Sequence, residues 1–262
     1  MRKHIRIFYY FFKMNLASSL EYRASFFLQL FGMVLSNSSF IFFWWLTFSK
    51  TGGTIAGYQF EDVLFIWAVT STGFGLAHIF FDNIANLTKL IISGELDIFI
   101  LQPCNILINL LCCKTSLSSY GDFAYGVIIM CLVYFENLCA WEWFIFGSLM
   151  CAAIFTAATL FAHTLTFYFG DASLIGQFVI EFLVSFSIYP EKIYGSFVRG
   201  VMYSVLPAGI AIHIPLRLLH SFGVKQLIFS LVWGIIYCIF AAVFFYCGLH
   251  KYESGNTIST RL

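Results

Sequence analysis

Glu181 is the residue whose placement most invites chemistry. It is a carboxylate near the middle of the apolar run from Ala172 to Tyr189, about 13 Å of helix from either end at about 1.5 Å per residue. Gln177 lies one turn earlier on the same helical face. An ionisable group so deep in an apolar segment costs several kcal/mol if left alone. Two roles fit: a polar lining of a substrate path or subunit seam, or a protonated acid hydrogen-bonded to a neighbouring helix. His163 is the one plausible acid–base companion for an intramembrane enzyme, but nothing in the spacing fixes its distance. Asp82 and Asp122 sit nearer the ends of their runs, where capping or snorkelling is expected.

Other chemistry finds little support. The six histidines occur singly, and Pro215 separates His213 from His220. His78 and His163 fall in or near apolar runs and are expected to hydrogen-bond across helices. The eight cysteines are scattered without a C-x-x-C or a Cys/His ligand spacing, so no metal or redox chemistry is assigned. The chain has no G-x-x-x-x-G-K-[ST], no H-E-x-x-H and no G-x-S-x-G. It is read as a non-enzyme that does not bind ATP through a P-loop.

The elements that position these residues follow from composition. Of 262 residues, 60% are apolar, 20% aromatic and only 10% charged, and the net charge is +1. Mean hydropathy is +0.86. Soluble domains run nearer about 25% charged, so the chain belongs in lipid, and the absence of a basic block argues against nucleic acid. Charge-free windows of spanning length run from Ala24 to Ser49, Val63 to Phe81, Trp143 to Gly170 and Gln226 to His250. Two more, Thr115 to Phe135 and Ala172 to Tyr189, are interrupted by Asp122 and Glu181. The expectation is an all-α polytopic membrane protein with six transmembrane helices, residues 1–262 forming one membrane domain.

Three further segments complete it. Residues 1–23 read as a basic, aromatic interfacial helix, because Arg2, Arg6 and Lys13 share one face. Residues 191–225 follow Pro190, are broken at Pro207 and Pro215, and suit short re-entrant helices on the outer side better than a straight seventh span. Residues 82–103 read D-N-I-A-N-L-T-K-L-I-I-S-G-E-L-D-I-F-I-L-Q-P, with Ile84, Leu87, Leu90 and Ile91 at helical spacing. That pattern predicts a short amphipathic helix, ended near Gly94, whose apolar face docks a partner. Nine Lys and Arg fall on the side of the N-terminus and five on the other, which puts both termini in the cytoplasm.

The string from Ile91 to Pro103, with Gly94-Glu95-Leu96-Asp97 and then Leu101-Gln102-Pro103, resembles the signature of the permeases of bacterial type-2 ABC exporters. Phe186-Ser187-Ile188-Tyr189-Pro190, Leu206-Pro207 and Ile214-Pro215 are similar to that family's later motifs, and the likeness covers nearly the whole chain. The resemblance implies a permease subunit of the bacterial cytoplasmic (inner) membrane. It would work by alternating access with a second permease chain, homo- or heterodimeric. It would hold no cofactor of its own, because separate P-loop ATPase subunits hydrolyse the ATP. The coupling helix between spans two and three would fall on Asn86, Leu87, Leu90, Gly94, Glu95, Leu96 and Asp97, and the re-entrant helices would lie between spans five and six. An ATPase-independent secondary transporter and an accessory membrane subunit are the competing readings; the first should show an inverted repeat or paired intramembrane charges, and the sequence shows neither.

Overall fold

Leu, Phe, Ile and Val fill four stretches of this chain with no polar face, and each becomes a helix long and apolar enough to cross a membrane. A computed structural model describes residues 10–17, 21 and 23–253. Within them the long helices are α1 (Arg23–Lys50), α2 (Phe60–Phe81), α7 (Leu138–Thr164) and α12 (Val224–Leu249). The short helices are α3 (Leu87–Ile92), α4 (Asp97–Ile100), α5 (Ile106–Cys112), α6 (Ser119–Val133), α8 (Thr166–Phe169), α9 (Ser173–Ile188), α10 (Ser196–Met202) and α11 (Ile214–His220). Among the described residues no strand forms; Ile55 and Tyr58 make one isolated bridge.

The helix α2 is the post around which the others stand. Its most apolar stretch is 78% buried, against 6% for α1 and 17% for α12. It packs on α6 and α7, α12 packs on α7, and α1 leans mainly on α6. The outward residues of α1 and α12, among them Phe27, Leu28, Phe31, Ile235, Ile239 and Val243, are exposed apolar side chains, as a lipid-facing surface requires. The two shorter apolar helices, α6 and α9, have 15 and 16 residues. Asp122 does not snorkel from α6. It is buried and accepts a 2.8 Å hydrogen bond from Asn37 of α1, because a carboxylate facing a neighbouring helix must find a donor there.

Close approach of α2 and α7 depends on Gly73. A Cβ at that position would lie 2.4 Å from Cβ of Cys151, so only hydrogen fits. Gly73→Leu is expected to destabilise the detergent-solubilised chain by about 1–3 kcal/mol, the usual cost of overpacking. Thermal denaturation checks this, and a wild-type midpoint would show that the helices can part.

The predicted interfacial helix falls partly on residues 1–9, 18–20 and 22, outside the described residues. Its described part, residues 10–17, is helical. It rests at the end of α2, with the Phe12 ring 5.4 Å from Phe80 and Asn15 donating to the Cys112 carbonyl at 3.3 Å.

Candidate functional site

Residues 82–103 cap the end of α2. A 3₁₀ turn at Asp82–Asn86 leads into α3, and the chain then reverses at Gly94, whose φ is +75°. L side chains rarely adopt that conformation. The reversal lets the Leu96 amide reach back to the Leu90 carbonyl at 3.1 Å. Asn83 donates to the Leu110 carbonyl at 2.9 Å, and Asn86 to Asn83 at 3.2 Å. Asn105 caps α5 by accepting from the Ile108 amide at 3.2 Å, and receives the Tyr246 hydroxyl of α12 at 3.0 Å. Both ends of the segment are thereby tied to the bundle.

The apolar face of α3, which the sequence pattern assigns to a partner, instead points inward. Ile84, Leu87, Ile91 and Leu96 are buried with Phe99, Leu110, Leu160 and Phe245, and Leu90 packs at the edge of that cluster. The physical reason is that the open end of the bundle is itself apolar and the nearest amphipathic helix covers it. Leu87 and Leu96, both fully buried, therefore have no surface to offer. The outward side carries a different set. Ile92, Ile98, Ile100 and Leu101 are exposed, Leu101 by 84%, beside exposed Lys89 and Glu95. Asp97 is half-buried; burial and the neighbouring Asp97 carboxylate together push the Tyr252 phenol up to about 12.

Thr88 joins this segment to the rest of the chain. Its hydroxyl lies 2.8 Å from His163 Nδ1 at the end of α7, and 2.8 Å from the Thr166 hydroxyl of α8. All three residues are buried. The His163 ring in turn lies against Gly176 of α9, where a Cβ would meet it at 2.4 Å. A cleft of about 310 Å³ separates the outward edge of α3 from Asp171 and Ser173 at the start of α9. The cross-helix bond expected of His163 is thus present. His78 instead bonds its own helix at the Phe74 carbonyl.

On α9, Gln177 and Glu181 are both exposed, with Leu174, Phe178 and Phe182 beside them. Neither polar residue has a hydrogen-bond partner among the described residues. His163 and Glu181 make no pair, because His163 is buried against Gly176.

Beyond α9 the chain breaks at Pro190, where expected, and turns through Glu191–Ile193 and α10. Pro207 precedes a π turn at Gly209–His213 that runs into α11. Proline at position 215 lacks an amide and crowds the carbonyl four residues back. The wider turn, with the Ile214 amide bonded to Gly209, accommodates it. This run is buried against α7 from Ala208 to Leu216, so its irregular backbone sits among protein.

Sequence spacing did not reveal the charge network that this folding assembles. Buried Glu191 accepts from Arg217 Nε at 3.1 Å, from Arg217 Nη2 and from the Tyr203 hydroxyl; Tyr58 donates to it at 3.5 Å. Burial alone would raise the Glu191 carboxyl, but the bonds from Arg217 and Tyr203 hold it below its ordinary value. Nearby, Asp62 pairs with His220 at 2.6 Å and accepts from the Gln59 amide at 2.8 Å. These partners lie 26 and 158 residues apart, at the end of the bundle opposite residues 82–103. The one signal available was that Glu191 and Arg217 flank Pro207 and Pro215.

Among the described residues no group of His, Cys, Asp and Glu could hold a metal ion. No curated protein and no solved structure matches the chain. The residue pattern described as ABC-2 family transporter protein matches residues 34–256. That stretch takes in α2, the capped segment 82–103, the exposed polar pair of α9 and the proline-broken run, and the chain is a multi-pass membrane protein of the ABC-2 transporter family.

Proposed function

We propose that the chain is the permease subunit of an ATP-driven exporter of a bacterial inner membrane, with residues 82–103 as the segment on which a separate ATPase docks. Permeases of this family work with ATP-binding subunits. The observation that carries the reading is the outward ridge of Ile92, Ile98, Ile100 and Leu101 beside Lys89 and Glu95. It is an apolar edge with charges around it, held from behind by a packed core, so a push on it moves the bundle rather than a loose loop. Glu95 faces the partner, whereas Leu87 and Leu96 form the support behind it.

In this reading α6 and α9 complete a six-span bundle with both termini cytoplasmic. Residues 191–225 form the outer re-entrant pair that closes the path. The exposed face of α9 with Gln177 and Glu181 is the seam with a second permease, or the path between the two, because an unpaired carboxylate turned to lipid costs several kcal/mol. ATP binding favours one of two arrangements of the docked segments, and transport follows from that differential affinity.

Glu95→Lys is expected to lower capture of the ATPase subunit by about tenfold while the variant chain still inserts at wild-type levels. Co-purification from the membrane measures this. Full capture by the Glu95→Lys and Leu101→Asp variants together would remove the segment as the docking site.

A further inference from the structure

The cleft at the opposite end of the bundle has a volume of about 510 Å³ and is lined by Tyr58, Asp62, Glu191, Lys192, Arg217 and His220, among others. Its charges are sorted by depth. The carboxylate side chains of Glu191 and Asp62 are 4% and 9% exposed, and both are engaged by donors from the chain itself. The positive and basic groups stand in front of them: Arg217 is 46% exposed and His220 61%, and Lys192 is exposed. An incoming ion meets these groups before it meets a carboxylate.

Two of them have donors to spare. Glu191 takes Nε and Nη2 of Arg217, and Nη1 makes no hydrogen bond among the described residues. Lys192 has no carboxylate within ion-pair distance among the described residues. Its Nζ is held 5.0 Å over the Tyr58 ring, whose hydroxyl bonds the same Glu191 oxygen that accepts Arg217 Nε. Glu191 and Tyr58 therefore fix a guanidinium and an ammonium on one rim. A phosphate suits such a rim best, since its several oxygens accept from the planar fork and the point charge together. A cation would find the carboxylates buried and already engaged by donors of the chain. The volume also accommodates the glycerol or sugar to which a phosphate is commonly attached.

We propose that this cleft binds a phosphate group, either free in solution or on a lipid headgroup, with Lys192 and Arg217 as its ligands. The site does not depend on an ATPase partner, so it stands or falls apart from the transport reading. The test uses the full chain in nanodiscs. One arm titrates inorganic phosphate by calorimetry into nanodiscs of digalactosyldiacylglycerol, a lipid without phosphate. The other counts phosphatidylglycerol retained by the chain from a phosphatidylglycerol–digalactosyldiacylglycerol mixture, by native mass spectrometry. Lys192→Gln, which breaks no ion pair, is expected to weaken one of the two by about tenfold with an unchanged melting temperature. Lys50→Gln, at the same end of the bundle but outside the cleft, is expected to weaken neither. Loss in the calorimetric arm assigns soluble phosphate, and loss in the lipid arm assigns a headgroup. Equal behaviour of wild type and Lys192→Gln in both arms, or an equal loss in Lys50→Gln, overturns the site.

Discussion

Arg217→Met is expected to lower the stability of the chain by about 3 kcal/mol, the lower end of what breaking a buried pair costs. The reason is asymmetry of burial. The Glu191 side chain is 4% exposed and would be left without its main donor, while Arg217 is 46% exposed and loses less to desolvation. Removing the carboxylate as well should recover most of the loss, so the Glu191→Gln, Arg217→Met double variant is expected to melt close to wild type. The same carboxylate sets a pH dependence. Its folded value lies below the ordinary one, so its contribution is complete above the ordinary glutamate range and is lost as pH falls through the depressed folded value. Wild type should therefore lose stability on acidification by a component absent from Glu191→Gln. Thermal denaturation of both proteins in detergent from about pH 7 to about pH 3 reads it. Parallel curves would show that Glu191 is held as well in the unfolded chain, or not held at all.

What the sequence could show was set by the range of each interaction. Spacing of one turn was enough to place Gln177 and Glu181 on one face of α9, and a glycine at 94 was enough to end α3 close by, at Ile92. The prolines at 190 and 207 marked where straight helix stops, and the structure breaks there; the break expected at Pro215 does not occur, because the π turn before it carries the helix through. Spacing could not say what would cover an amphipathic face. Leu87 and Ile91 were rightly placed on one stripe, yet that stripe met Leu110, Leu160 and Phe245, residues contributed by later helices. Nor could it pair Asp62 with His220 across 158 residues, or Asn37 with Asp122 across 85. Each such pair exists because helix packing brings distant segments together, α1 against α6 for Asn37 and Asp122, which is a property of packing rather than of local pattern. The network at Glu191 was hidden for the same reason. Its charged members, Glu191 and Arg217, stood near the prolines as isolated charges 26 residues apart, and Tyr58 comes to them from the other side of α2 in the sequence.

Thr88→Val is expected to loosen the segment 82–103 from α9. Among the described residues its hydroxyl is the one group that meets both His163 and Thr166, and its removal leaves two buried polar atoms unpaired at a cost of about 1–3 kcal/mol. The consequence for the proposed cycle is mechanical. A push from a docked ATPase arrives at α3 and must reach Gln177 and Glu181, and the described route runs through Thr88, His163 and the close contact of that ring with Gly176. Coupling of this kind needs an element that both ends bias, not mere proximity. Spin labels at Lys89→Cys and Leu174→Cys, exposed positions on α3 and α9, report the joint directly. With the exposed native cysteines Cys131, Cys139 and Cys247 replaced by serine so that they take no label, pulsed dipolar spectroscopy should give one narrow distance distribution. Thr88→Val should broaden it, Gly176→Ala should shift it by forcing the His163 ring aside, and Thr88→Ser should restore it by keeping the hydroxyl. Restoration by serine separates the hydrogen bond from simple loss of packing. Identical distributions in all four proteins would mean that α3 and α9 are joined by the surrounding apolar core, and that His163 transmits nothing.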